Sequence, residues 1–131
     1  MTAFVVDAPT DPSSHPRPGS RLNIFPGSAM PAVFAAGAPF WIGYGFVPEA
    51  GDSEASQATI APDTGFELLV DGRAVPVYTD LLVKRGRTVR TFTVAAFPNG
   101  LRAGWHVLAG RWYDEGVLAL TSDRSIEFVE R

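Results

Sequence analysis

The stretch that most constrains the fold is residues 97–114, FPNGLRAGWHVLAGRWYD. A Pro-Asn-Gly turn is followed by an aromatic segment of strand length that starts at Gly104. Alternation places Trp112 on the same face as Leu108 and Trp105 on the other face, and both faces are rich in apolar residues. Such a strand is either central, with both faces partly covered, or it presents its second face as an interaction surface.

A second constraint is the Asp71-Gly72 pair, the signature of a two-residue type I′ turn between two strands. That loop places Val70 opposite Arg73, and the residues before Val70 then pair in the same register with those after Arg73. One face of the hairpin then collects the apolar residues of both strands, with Phe66 opposite Val77 at its end: Phe66, Leu68, Val70, Val75 and Val77. Pro76 has no amide donor, which predicts that the second strand lies at an edge.

Residues 38–47, APFWIGYGFV, form another strong strand. Its predicted core face carries Phe40, Ile42, Tyr44 and Phe46. Gly43 and Gly45 leave a groove beside Trp41, and either a neighbouring aromatic lies flat across the strand there or a ligand approaches the backbone. Shorter or weaker strands are predicted at residues 21–25, 32–34, 81–83, 89–96, 117–120 and 125–129, with an interruption at 121–124.

The N-terminal 20 residues predict a flexible, proline-rich arm, and residues 21–131 a single β-sandwich domain. Residues 8–20 contain four prolines and have little apolar area to offset the entropy of ordering. The apolar run at residues 4–6 either docks on a sheet edge, of the same chain or of a neighbour, or frays.

The composition excludes several classes of function. With 131 residues and 46% hydrophobic residues, the chain fits one domain with a real core. A net charge of −3 disfavours nucleic acid and anionic membrane as partners. The absence of cysteine removes disulfides, thiolate metal sites and cysteine nucleophiles. No signal peptide or membrane span stands out, so a cytoplasmic location is expected unless a leader has been removed.

Short strands, regular turn signals and no helical period predict an all-β sandwich. The chain resembles immunoglobulin-like and fibronectin-type-III-like domains, including bacterial ones, at residues 97–112. There a turn with Leu101 and Gly104 leads into a strand in which His106 stands two residues before Leu108. Those domains often hold a corner tyrosine at the first position, where this chain has histidine, and they hold a core residue at the second. The resemblance implies an immunoglobulin-like antiparallel β-sandwich of about seven to nine strands and no particular activity.

Three polar features favour structural roles. His106 lacks a nucleophile elbow or a second histidine at useful spacing, since His15 lies in the arm, so we expect a corner residue bonded to the preceding loop's backbone. A solvated turn is favoured over an anion site for the cations Lys84, Arg85, Arg87 and Arg90. A solvated acidic loop is favoured over a calcium site for Asp52, Glu54 and Asp63.

The sequence therefore predicts a non-catalytic β-sandwich module that acts through protein contacts or self-association and needs no cofactor. Its predicted binding residues are Trp41, Trp105, Arg111 and Tyr113, because large rigid rings suit contact hot spots. The alternative is a carbohydrate- or small-ligand-binding domain that uses the same aromatics. An enzyme ranks third, since no acid–base pair or metal set stands at recognisable spacing.

Overall fold

A computed structural model describes residues 3–6, 17–48 and 60–130, and every regular element in them is a β-strand. The described part of the chain holds no helix long and apolar enough to cross a bilayer. The ten strands are β1 (Ala3–Val6), β2 (Ser20–Arg21), β3 (Val33–Ala35), β4 (Phe40–Pro48), β5 (Gly65–Val70), β6 (Arg73–Ala74), β7 (Tyr78–Lys84), β8 (Arg87–Phe97), β9 (Gly104–Asp114) and β10 (Val117–Val129).

The strands form two five-stranded sheets packed face to face as a sandwich. The first sheet has the order β1-β4-β8-β7, with β2 also paired to β4, and the second has the order β3-β10-β9-β5-β6. Both sheets are mixed, because β2 pairs parallel with β4 and β3 pairs parallel with β10. The all-β sandwich is confirmed, but the expectation of about seven to nine antiparallel strands is corrected to ten strands in mixed sheets among the described residues. Pro26, Gly27 and Pro31 break the ladder between β2 and β3, and the chain changes sheets there.

The core lies between the sheets and confirms the predicted inner face of β4. Phe40, Ile42, Tyr44 and Phe46 are all buried. The second sheet meets them with Phe66, Leu68, Leu108, Trp112, Ile126 and Phe128. Each such side chain stabilises the fold by about 1.5–3 kcal/mol relative to an exposed position.

Four aromatic rings, from Phe25, Tyr44, Phe66 and Trp112, form an aromatic cluster at the centre of the sandwich. The Tyr44 ring lies 5.2 Å from that of Trp112 and 4.9 Å from that of Phe66, both near edge-to-face. The Tyr44 hydroxyl accepts the Ile24 amide at 2.8 Å and donates to Asn23 Oδ1 at 3.0 Å. Burial raises the pKa of Tyr44, so the phenol stays neutral and both bonds persist.

The glycine groove on the outer side of β4 is filled by the neighbouring strand β8. Gly43 is opposite Val94 and Gly45 is opposite Phe92, and both apolar side chains are buried. A Cβ on Gly43 would lie 2.9 Å from the carbonyl oxygen of Thr93. Close approach of backbones and side chains explains the glycine here, so packing within the sheet accounts for the groove.

The predicted hairpin turn is present, but its second strand is shorter than expected. Asp71 and Gly72 have φ values of 53° and 82°, as a type I′ turn requires, and Val70 pairs with Arg73. After Ala74 only one backbone bond continues the pairing, from the Val75 amide to the Leu68 carbonyl at 3.0 Å. The chain then crosses to the first sheet as β7. The predicted pairing of Phe66 with Val77 is therefore wrong, and the crossing begins beside Pro76, which cannot donate to a ladder.

The last strand is also longer than the sequence indicated. β10 runs without a break through the expected interruption at 121–124, with a register shift between Leu118 and Leu120. Ile126 and Phe128 point inward as predicted. A long antiparallel partner, β9, satisfies the backbone of the polar residues that suggested a loop.

At the N-terminus, β1 lies on the sheet edge of its own chain, with Ala3 opposite Pro48 on β4. β1 and β2 occupy the two ends of the β4 edge that faces away from β8. Residues 7–16 of the predicted arm lie outside the described residues.

A glycine substitution tests the fit of the aromatic cluster. A Cβ on Gly110 would lie 2.6 Å from the Trp112 ring, which is held by its neighbours and has nowhere to move. Gly110→Ala is expected to destabilise the fold by about 1–3 kcal/mol through overpacking. Urea denaturation measures the change, and near-ultraviolet circular dichroism reports the altered tryptophan environment.

Gly65→Ala is the matched control, because a Cβ there meets nothing closer than Thr93 Oγ1 at 4.0 Å. It is expected to leave stability unchanged or slightly raised. Equal stability loss in the two variants would show that strand propensity, and not contact with Trp112, decides the outcome.

Candidate functional site

The structure places Trp41 and Trp105 on opposite outer faces of the sandwich. Trp41 alternates with the core residues of β4 and so lies on the outside of the first sheet. Trp105 lies on the outside of the second sheet and is 66% exposed. Trp41 and Trp105 therefore do not share one surface, and the sequence could not show this, because alternation gives a side chain's face but not the sheet that the strand joins. Trp112 lies inside beside Leu108, as predicted.

The Trp41 ring is covered by two arginines from the segment before β4. The guanidinium carbons of Arg17 and Arg21 lie 5.7 and 5.5 Å from the ring centroid, within cation–π range. Arg21 also donates to the Gly43 carbonyl at 2.9 Å. Trp41 therefore serves to hold this segment on the first sheet.

The other predicted binding residues surround a small apolar patch on β9. Trp105 and Val107 are exposed on the outer face of the second sheet. Further along the strand, the Arg111 guanidinium lies 3.7 Å from the Glu67 carboxylate. Tyr113, at the end of the strand, borders a cleft between the sheets instead. On β9 the patch thus consists of Trp105 and Val107 beside a charged neighbour, and exposed Val33 of β3 lies in the same row of the sheet as Trp105.

His106 is held at both ring nitrogens. Nδ1 lies 2.6 Å from the Asp71 carboxylate and Nε2 lies 2.8 Å from the Arg102 carbonyl, in the loop that precedes β9. The Asp71 carboxylate also accepts the Val107 amide at 2.9 Å, so it fastens the β5–β6 turn to β9. The bond to the preceding loop is the one predicted for a corner residue. No sequence pattern indicated Asp71 as the second partner, since it lies 35 residues away.

His106 and Asp71 shift each other's pKa. Burial on its own would lower the pKa of His106, but the bonds to Asp71 and to the Arg102 carbonyl outweigh it and raise the pKa above 6.5. Hydrogen bonds from the Val107 amide and from His106 lower the pKa of Asp71. Both partners of the ring are acceptors, so the doubly protonated imidazolium fits this site.

This pair predicts a pH-dependent contribution to stability. The stabilisation that protonated His106 contributes is present below about pH 6.5 and is lost as pH rises through its raised pKa. The stabilisation that ionised Asp71 contributes is lost as pH falls below about 4. Asp71→Asn, in which asparagine also tolerates the positive φ, is expected to reduce the dependence and to lower the pKa of His106, although the Arg102 bond remains. Because the Asp71 side chain is 48% exposed, the loss should be below about 1 kcal/mol.

Nuclear magnetic resonance titration of His106 and thermal unfolding between pH 5 and 8 measure both effects. An unchanged His106 pKa in Asp71→Asn would contradict the assignment of the ion pair.

The structure assigns no ligand to the basic cluster or to the acidic cluster that the sequence predicts to be solvated. The basic cluster flanks the turn Arg85-Gly86 between β7 and β8, where Arg85 and Arg87 are exposed. Asp52, Glu54 and His15 lie outside the described residues. Among residues 3–6, 17–48 and 60–130, no three His, Asp or Glu side chains converge as a metal site would require.

The sequence did not indicate the edge formed by β7. Within the described residues this strand pairs only with β8, which leaves a seven-residue edge open. Its apolar side chains are unusually exposed: Tyr78 at 48%, Leu81 at 58%, Leu82 at 40% and Val83 at 54%. The run of apolar residues at 81–83 was the available signal, since a one-sided strand would alternate with polar residues.

A second unpredicted feature is a cleft of about 600 Å³ between the sheets, beside β7. Its walls come from the segment before β5, from the start of β5, and from the inner sides of β7 and β8. The inner side carries Thr79, Thr88, Thr91 and Thr93, and the rim carries Asp63 and Glu67. Among the described residues, β6 is only two residues long and does not extend along the start of β5, which borders the cleft.

No protein-family model, curated protein or solved structure matches this chain.

Proposed function

We propose that this chain is a non-catalytic, immunoglobulin-like β-sandwich module that works by protein contact, through self-association at the β7 edge. The observation that carries the proposal is the exposed apolar edge of β7. Long open edges with exposed apolar residues are sites where another strand adds, and folded proteins usually protect them with charge, proline or bulges.

The strand order supports the immunoglobulin-like assignment. With β1, β4, β8 and β7 as strands A, B, E and D, the first sheet has the ABED arrangement. With β5, β9 and β10 as C, F and G, the second sheet has the CFG arrangement, and β6 follows as C′. His106, near the start of β9, takes the position of the corner tyrosine, and it bonds back to Arg102 as that tyrosine bonds to its upstream backbone.

The hydrogen bonds at both ring nitrogens of His106 support a non-catalytic role. A general base needs a free ring nitrogen to take a proton, whereas both nitrogens here are bonded to acceptors that fix the strand and its loop. Its ring also packs edge-on against buried Phe128, at 5.3 Å between centroids. These contacts are those of a structural residue.

The sequence of β7 supports a second copy of the chain as the occupant of the edge. Two β7 strands that pair antiparallel about Leu82 place Leu81 of one copy opposite Val83 of the other. The same register places Asp80 opposite position 84, a lysine. Cross-strand pairs of apolar residues and of opposite charges both stabilise a sheet. The pairing is self-complementary, as a two-fold interface requires.

The edge of β7 is regular enough to pair. Between Leu82 and Val83 the register with β8 shifts, but the extra residue, Val89, belongs to β8. β7 therefore keeps continuous extended backbone along its free side. The edge strand of the second sheet, β6, is by contrast two residues long and followed by Pro76, so it offers little to a partner.

Leu82→Lys tests the proposed interface. Two lysines would face each other at the two-fold axis, so dimerisation is expected to weaken by at least about tenfold. Because Leu82 is 40% exposed, the fold should change in stability by less than about 0.5 kcal/mol. Sedimentation velocity over a wide concentration range measures the association.

Val117→Lys is the matched control, since Val117 is an exposed aliphatic residue at 67% in the β9–β10 hairpin, away from β7. It is expected to associate like the unmodified chain. A monomer at all concentrations, or equal association by Leu82→Lys and Val117→Lys, would contradict the proposal.

Trp105→Ala tests whether association uses the β7 edge or the predicted binding residue Trp105. If β7 carries the contact, this substitution leaves association unchanged, because Trp105 lies on the outer face of the other sheet. Loss of association in Trp105→Ala with none in Leu82→Lys would move the contact to the Trp105 patch.

A further inference from the structure

The threonines of the cleft occupy positions where a sandwich core is normally apolar. Thr79 and Thr93 lie opposite each other on β7 and β8, and Leu81 lies opposite Thr91. The register of β8 with β4 places Thr91 and Thr93 opposite the core residues Phe46 and Tyr44, so both threonines face the second sheet. These threonines line a space that aliphatic side chains would otherwise fill.

One of these hydroxyls has no partner. Thr91 is 4% exposed, and its Oγ1 has no hydrogen-bond partner among the described residues. The neighbouring Thr79 and Thr93 hydroxyls are hydrogen-bonded to each other, at 3.2 Å. An unpartnered buried hydroxyl destabilises a fold, so a polar group that enters the cleft and bonds it would be favoured.

The shape of the cleft depends on a missing side chain. Gly65 stands across from Thr93, and a Cβ there would still be 4.0 Å from Thr93 Oγ1. Together with the short β6, this leaves about 600 Å³ open to solvent, within the range of small-molecule sites.

The charges around the cleft narrow the ligand class. Its described lining residues include Asp63 and Glu67 but no lysine, arginine or histidine, which disfavours an anion. The Glu67 carboxylate lies near Arg111, so the negative field is partly neutralised and a cation gains less from it. Threonine hydroxyls both donate and accept, which matches the hydroxyls of a neutral ligand.

We propose that this cleft binds a small, neutral, polyhydroxylated ligand of monosaccharide size, and that the threonine hydroxyls of β7 and β8 are its main hydrogen-bonding partners. Thr79 and Leu81 of β7 line this cleft, but ligand binding there does not require two β7 strands to pair.

The test uses the full chain and a panel of glucose, galactose, mannose and xylose, each at about 50 mM, well above a millimolar dissociation constant. Heteronuclear resonance spectra are expected to show saturable shifts for at least one sugar at the amides of β5, β7 and β8. Thr91→Val should weaken that binding by about tenfold, the effect of one lost hydrogen bond. Thr121→Val, an exposed threonine on β10, is the control and should bind as before.

Thr91→Val has a second readout that needs no ligand. Replacing an unpartnered buried hydroxyl with a methyl group should raise the Tm of the free protein by about 2–5 °C. A lower Tm would show that the hydroxyl already has a structural partner. That result, the absence of saturable shifts for all four sugars, shifts confined to the Trp105 patch, or equal binding by Thr91→Val and Thr121→Val would each overturn the proposal.

Discussion

The contact between Tyr44 and Trp112 is the interaction on which the rest of the structure depends, because it joins the central strands of the two sheets. Phe25 and Phe66 complete the aromatic cluster, with rings 5.3 and 5.1 Å from that of Trp112. Trp112 Nε1 is buried without a hydrogen-bond partner among the described residues, so burial of the ring outweighs an unsatisfied donor. The chain has no disulfide to fasten its sheets, and these rings do so instead.

This arrangement determines where the molecule can act. At the centre, aromatic and aliphatic side chains fill the space between the sheets, and His106 is bound to Asp71 and Arg102. Beyond Phe66, which borders the cleft, the inner side of β8 changes from Ala95 to threonines, while β7 contributes Thr79 and Leu81. The cleft and the open edge of β7 are thus two departures from a closed sandwich among the described residues, and each of the two functional proposals rests on one of them.

The sequence predicted those features that depend on local pattern. Alternation placed Tyr44 and Trp112 inside, and the Asp71-Gly72 turn set the register of its hairpin. Features that depend on distant pairing could not be predicted. The sheets to which β4 and β9 belong decide that Trp41 and Trp105 lie on opposite faces. The crossing after Ala74 likewise decides that the residues of β7 face a cleft, and no local pattern around Thr91 indicates that the second sheet ends opposite it.

The central claim is that the protein works through the free edge of β7. Hydrogen–deuterium exchange of the unmodified chain, compared between dilute and concentrated solution, tests it most directly, because added strand pairing protects the backbone amides that it engages. The account predicts that concentration slows exchange at residues 78–84 and leaves the outer face of β9 around Trp105 unchanged. Exchange at residues 78–84 that does not depend on concentration, whether or not another surface gains protection, would contradict it.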